Sequence, residues 1–353
     1  MNSIHHKLAA IAASALITVG AATAASAQDV VIVGAGGGSQ DAHQKAIWDP
    51  AAAALGFEVA TDSHQGVAEA RAQVDAGAVT WDLASFNVGQ ALELIDGGYL
   101  VKLPEDIVDR DRFAPGSVND YCVGHTVYSQ IIGYNTDKWG EDGPQGMVDF
   151  FDTEKFDGIR GLFRGPLGNL EGAAIALGTP QEEVYAFLST KEGLDAAFEK
   201  IREMVTSSEV IWWDSGAQLT QLHVDGEIDL SYGWDGRIVA AKEAGAPVQP
   251  VYQDGILAAD CYGLLRDSPN PDNAIKFLKE ISKAQYTKDL VLYFPYGSAN
   301  LDAYNDYDEA TLARLTSSPE NVAGQFPQGA QFWGKNNAAL GERFDEMLLL
   351  LNR

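Results

Sequence analysis

Residues 29–98 read DVVIVGAGGGSQDAHQKAIWDPAAAALGFEVATDSHQGVAEARAQVDAGAVTWDLASFNVGQALELIDGG. Three short apolar runs, DVVIVG, FEVAT and WDLASF, each lead into a stretch with helical periodicity: QDAHQKAIWD, VAEARAQVDAG and GQALELIDGG. The first run reads as a buried strand, followed by a glycine-rich turn and a helix that Pro50 stops or bends. Gly77 closes the second helix and a glycine pair closes the third. Strands alternating with helices at this spacing predict a parallel α/β sheet.

After VYSQIIGYNT (127–136) a second α/β series begins, through GIRGLFRGP, GAAIALG, EEVYAFLSTKEGLDAAFEKIREM, EVIWW and EIDLSYGWDGRIVAAKEAG. A chain of 353 residues exceeds one ordinary core, and two series predict two lobes. The expected layout is a first lobe from 28–133 and 258–303, a second lobe from 134–257, and a C-terminal segment, 304–353, packing on the second. Crossings are placed near Gly133–Thr136 and Ile256–Cys261, so the lobes interleave around a hinge of crossing segments. The sequence has no internal repeat, low-complexity linker or charge block.

The N-terminus carries Lys7, an apolar stretch over 8–24 and the small-residue pattern Ala25-Ser26-Ala27. This is the grammar of a cleaved signal peptide over 1–27, with the mature chain starting near Gln28. No cysteine stands at the cleavage site to take a lipid anchor, so a soluble, monomeric periplasmic protein is expected. The formal net charge of −26 repels nucleic acid and anionic membrane surfaces, and no nucleic-acid partner is expected. Cys122 and Cys261 are the two cysteines. In an oxidising compartment they are expected to form one disulfide within one lobe, leaving the hinge free.

Several patterns imitate catalytic sites. Gly34-x-Gly36 after a strand, with Glu58 some way downstream, resembles a dinucleotide fingerprint, but Ser39 occupies the third glycine position. The glycines suit close approach of a ligand to backbone amides at a helix start, which makes Ser39 and Gln40 candidate contacts. His43, His64, His125 and His223 are widely separated and form no metal-ligand pair on a helix, and G-x-S-x-G is absent. No cofactor, metal or catalytic residue is assigned, and no enzymatic activity is expected.

The segment WWDSGAQLTQLHVDGEIDLSYGWDGR (212–237), followed by GILAADCYGLL and PYGSANLDA, resembles the polyamine (spermidine/putrescine) type of periplasmic solute-binding protein that serves ABC importers. Further matches are GGGSQDAHQKAIWDPAAAALGFEV, WDLASFN and YCVGHTVYSQIIGYN, so the resemblance spans nearly the whole mature chain. It implies a two-lobed type II binding protein whose cleft closes on a ligand and presents the closed form to permease subunits in the inner membrane. Ser85 and Ser215 match hydroxyl contacts, and Glu171 matches a carboxylate that pairs with an ammonium. Trp234 matches an aromatic that covers an alkyl chain, Asp260 the anchoring carboxylate, and Tyr296 an aromatic near the hinge. Trp213 and Asp235 complete the candidate ligand set. Read singly, the tryptophans also suit core packing, Asp235 a turn beside Gly236, Glu171 a helix cap and Ser215 an N-cap.

An aliphatic polycation requires carboxylates at its ends and aromatic faces along its chain. Two positions depart from that pattern. Ala258 stands where relatives carry an aromatic two residues before the anchoring carboxylate, which would widen the cleft. Arg237 stands where some diamine binders place an acid or small polar residue. It can neutralise Asp235 or Glu171, or hold a carboxylate of the solute. The expected ligand is therefore a polyamine-like cation, with a zwitterionic or anionic solute held by Arg237 as the alternative. A secreted hydrolase and a sensor-associated binding lobe are the remaining readings.

Overall fold

A computed structural model describes residues 28–351; the segment 1–27, expected to be a signal peptide, lies outside the described residues. Ten strands form one connected sheet: β1 (Val30–Gly34), β2 (Val59–Ser63), β3 (Leu83–Asn87), β4 (Cys122–Asn135), β5 (Arg160–Phe163), β6 (Val210–Trp213), β7 (Leu230–Trp234), β8 (Val248–Leu264), β9 (Gly297–Ser298) and β10 (Phe326–Pro327). The order is β2-β1-β3-β8-β4-β7-β5-β6, with β9 on β4 and β10 on β8. On one side β1 pairs in parallel with β2 and β3; on the other, β5 pairs in parallel with β6 and β7. These are the two α/β series of the sequence.

The sheet as a whole is mixed rather than parallel, because β4 and β8 join the series as a long antiparallel pair. They pair from Cys122↔Gly263 to Gln130↔Ile256, and again from Ile132↔Val251 to Asn135↔Val248. Between these runs the register shifts, and β8 carries the extra residues 252–255, with Asp254 at φ 62°. β3 pairs with the C-terminal part of β8, and β7 with β4 from Gln130 onward. One pair of strands thus runs through both lobes and changes partners at the shift. Almost all of β4 is buried, as expected of a strand covered on both faces.

The first lobe's core gathers Val30, Ile32, Trp48, Leu83, Tyr262 and Phe277, the second's Leu162, Leu170, Phe198, Tyr232 and Phe344. Pro50 does not stop its helix. The chain runs helically from Gly37 to Leu55, with a wider π-type turn over Gln44–Trp48, and Pro50 falls in the first turn of the final segment, where its missing N–H is tolerated. The stop comes at Gly56, with φ 69°.

The C-terminal helix Ala330–Leu351 touches both lobes. Leu340, Phe344, Met347 and Leu348 enter the second lobe's core, whereas a Cβ placed on Gly334 would lie 3.3 Å from the carbonyl of Gly89, which sits on the first-lobe helix Val88–Asp96.

Cys122 and Cys261 form a disulfide between β4 and β8, with Cα atoms 5.6 Å apart and a sequence separation of 139. Both lie in a first-lobe cluster with Trp81, Phe86 and Leu94, on one side of the register shift. Replacing both with alanine should lower unfolding stability by about 2–5 kcal/mol, read from denaturant titration, because the open chain has more unfolded conformations. Ligand affinity should be retained, since the bond does not tie one lobe to the other.

Candidate ligand-binding cleft

The parallel strands of both lobes point their C-terminal ends at one cleft of about 400 Å³, within the range of small-molecule sites. β3 delivers Ser85 and Asn87, β6 leads to Asp214 and Ser215, and β7 ends in Trp234 with Arg237 one turn beyond. The C-terminal helix adds Trp333 and Asn337.

On the first-lobe side Asp260 is the principal charged group. It sits on β8 opposite Thr126 of β4 and Asn87 of β3. Burial pushes its carboxyl up to about 7, and a hydrogen bond from Tyr128 works in the opposite direction. Tyr128 is itself paired with Ala258 in the ladder and lines the cleft. The aromatic that position 258 lacks is therefore present on the neighbouring strand.

Ser85 is held from below by a buried chain of contacts. His125 Nε2 lies 2.8 Å from its hydroxyl, His125 Nδ1 lies 2.8 Å from Thr126 Oγ1, and His43 Nε2 lies 2.7 Å from the same Thr126 oxygen. Burial drives His43 down to about 4 and His125 well below its usual value, so both rings are neutral. The first-lobe floor thus carries oriented dipoles without an added positive charge.

On the second-lobe side Arg237 is the principal charged group. It forms no ion pair among the described residues. Its Nε is buried without a hydrogen-bond partner. The side chain lies along Gly216, where a Cβ would come 2.4 Å from that Nε, and its guanidinium sits 4.8 Å from the centre of the Phe294 ring. Ser215 caps the helix Gly216–Val224 by accepting from the Gln218 amide, so the positive end of this helix faces the same region. Trp234 lines the cleft with Phe163, ring centres 5.7 Å apart.

Seven of the residues singled out in the sequence line this cleft: Ser39, Ser85, Ser215, Trp234, Arg237, Asp260 and Tyr296. The other four are placed elsewhere. Gln40 folds back onto its own loop, accepting from the Gly36 amide and donating to the Asp62 carbonyl, which fills the space the glycines leave. Trp213 is fully buried behind Trp234, with ring centres 5.0 Å apart. Asp235 is fully buried, accepts from the Ser129 amide on β4, and is pushed up to about 7 by burial. Glu171 caps its helix through the Gly168 amide and also accepts from Tyr185 and, at 2.6 Å, from Trp333 Nε1.

The sequence reading missed Tyr128, Asn87, Gln90 and Gln328, all of which line the cleft. Asn87 could have been found, because an Asn three residues before Gln90 at the start of an apolar helix marks a capping box. Tyr128 and Gln328 are brought in by ladder register and by the return of the C-terminal segment, neither of which leaves a local mark.

Glu171→Ala would strand three buried donors. It should lower unfolding stability by about 2–4 kcal/mol in denaturant titration while changing ligand affinity little in calorimetry.

Residues 46–319 match the model of the bacterial extracellular solute-binding protein family. A gamma-aminobutyric acid-binding protein of Pseudomonas aeruginosa is 29% identical over 327 residues, 92% of each chain. The solved structure of the periplasmic binding protein MotA from A. tumefaciens B6 in complex with glucopine superposes with a TM-score of 0.86 at 44% identity, covering 90% of this chain and 99% of that one. A spermidine/putrescine-binding periplasmic protein of Salmonella typhimurium is 23% identical over 112 residues, 31% of each chain. The sequence match to the polyamine type is therefore distant and covers 31% of the chain, whereas the gamma-aminobutyric acid-binding protein and MotA match over nearly its whole length. Family model, two-lobed fold and interlobe cleft agree, and the chain belongs to the bacterial extracellular solute-binding proteins.

Proposed function

We propose that this protein captures a zwitterionic amino acid or amino-acid conjugate in the periplasm and delivers it to the permease of an ABC importer. The observation that carries the reading is that Arg237 from the second lobe and the desolvated Asp260 from the first share one cleft, each without an ion-pair partner among the described residues; the other acids of the lining, Glu93 and Asp214, lie nearer solvent, and Glu93 is paired with Arg71. A buried charge without a partner is costly, and a ligand carrying the complementary charge relieves that cost. Arg237 would hold the carboxylate and Asp260 the ammonium, with Tyr296 electrostatically coupled to both.

A polyamine meets only half of this arrangement. Arg237 would repel its second ammonium, and Glu171, the other carboxylate assigned to a polycation, is engaged by Tyr185 and Trp333. The gamma-aminobutyric acid and glucopine relatives support the zwitterionic reading. Asn87, Gln90 and Gln328 extend the lining with uncharged polar groups, which favours a conjugate with a hydroxylated or amide extension over a bare amino acid. The signal peptide over 1–27, monomeric state, lobe boundaries and permease contact complete the proposal.

Calorimetric titration of refolded protein with gamma-aminobutyrate, glucopine, putrescine and spermidine tests it. Binding of either zwitterion but neither amine is the expected outcome; tight binding of an amine alone would overturn it. Arg237→Ala should abolish zwitterion binding, and Asp260→Asn should weaken it by about 2–5 kcal/mol, as when one partner of a desolvated charge pair is lost.

The pH dependence has a definite sign. Asp260 titrates at about 7 in the free protein, and an ammonium requires the ionised form. Affinity should therefore fall as pH drops below 7, by up to about tenfold per unit, and level off above it. The Asp260→Asn variant should show no such slope in the same calorimetric series.

A further inference from the structure

Arg237 and Phe294 belong to different lobes. Arg237 projects from the helix Asp235–Glu243, whose Ile238 and Ala241 are buried in a second-lobe cluster with Trp213 and Leu219. Phe294 and Tyr296 are buried in the first lobe's core with Val30, Tyr128 and Tyr262. Two glycines bring the groups together. A Cβ on Gly236 would lie 2.3 Å from the Tyr296 ring and 2.7 Å from the Phe294 ring, so only glycine lets this aromatic pair reach the start of the helix. A Cβ on Gly216 would lie 2.4 Å from Arg237 Nε and 3.0 Å from Cζ. The guanidinium is thereby confined between Gly216 and the Phe294 ring.

We propose that Phe294 is a positioning residue for solute recognition. Resting on the zwitterion reading, its role is to hold the Arg237 guanidinium in place across the lobe boundary, where a protein carboxylate would otherwise do so and cancel the charge. An aromatic face suits this task because it attracts the cation without itself taking the in-plane N–H groups, so those that Tyr296 does not engage stay open to a carboxylate. A protein acid at the same place would take those donors. The contact spans the lobes, so the acid-selective half of the site is complete only when they have come together.

The test compares gamma-aminobutyrate with its uncharged carboxamide, titrated into the wild type, Phe294→Leu, Phe294→Tyr and Gly216→Ala. In Phe294→Leu the preference for the acid over the amide should drop at least tenfold, with amide affinity unchanged, and Phe294→Tyr should restore it. Gly216→Ala displaces Arg237 from the opposite face without touching the first lobe, and should lose the same preference if Phe294→Leu fails to fold. Equal weakening of both ligands, with the ratio unchanged, would show a merely structural role and overturn the proposal.

Should neither ligand bind the wild type, the zwitterion reading fails for this solute while Phe294 is still tested by arginine-labelled NMR. The Arg237 side-chain resonance, identified by its disappearance in Arg237→Lys, should be shifted upfield by the ring and move to an unstructured position in Phe294→Leu. A resonance that does not move would overturn the positioning role.

Discussion

The architecture depends on one antiparallel pair. β4 and β8, of 14 and 17 residues, run from the first lobe into the second, and every other long strand reaches the sheet directly or indirectly through them. Such a pair resists bending within its hydrogen-bonded runs and yields where the ladder breaks. The break falls between Gln130 and Ile132 on β4 and over 252–255 on β8, between two well-paired stretches. A bulge is a local kink with fewer ladder bonds, so this is where the strand pair joining the lobes is least stiffened by its own ladder. The disulfide lies wholly on one side of it and stiffens a lobe without locking the hinge.

The same pair places the cleft. Asp260 and Tyr128 face it from β8 and β4 a few residues from the break, while the parallel strands converge on it from both sides. Charge is distributed sparingly. A chain with a net charge of −26 keeps most acids in water, yet brings one arginine without an ion pair to the centre of the site. The neutral histidines under Ser85 and the aromatic face behind Arg237 supply orientation without cancelling that charge. Preorganised, uncompensated groups of this kind are how a binding protein gains both affinity and selectivity from one small solute.

Much of this was legible in the chain. Local periodicity and glycine stops placed the helices and strands of both series, the two cysteines paired as expected, and most of the candidate residues came together in one cleft. Of the two readings of Pro50, a stop or a bend, the stop fails, because a π-type turn precedes it and the chain stays helical to Leu55. Glu171 carried the right residue type at a matching position. Its carboxylate is nevertheless engaged by Trp333, 162 positions away, a partner that no local pattern announces.

The amino-acid sequence alone determined the fold class and the broad solute-binding family, though not the polyamine type it was expected to be, because alternating strand and helix periods and ordered motifs are local properties that survive without coordinates. It also presented both Arg237 and Asp260, but with no means of ranking them against Glu171 and Asp235. Tertiary structure decided which charges face the cleft: Glu171 is turned inward to three donors and Asp235 is buried against the Ser129 amide with its second oxygen unpartnered, while Asp260 and Arg237 line the cleft. The physical reason is that a buried charge takes its meaning from its neighbours' donors and acceptors, and those neighbours arrive from distant parts of the chain.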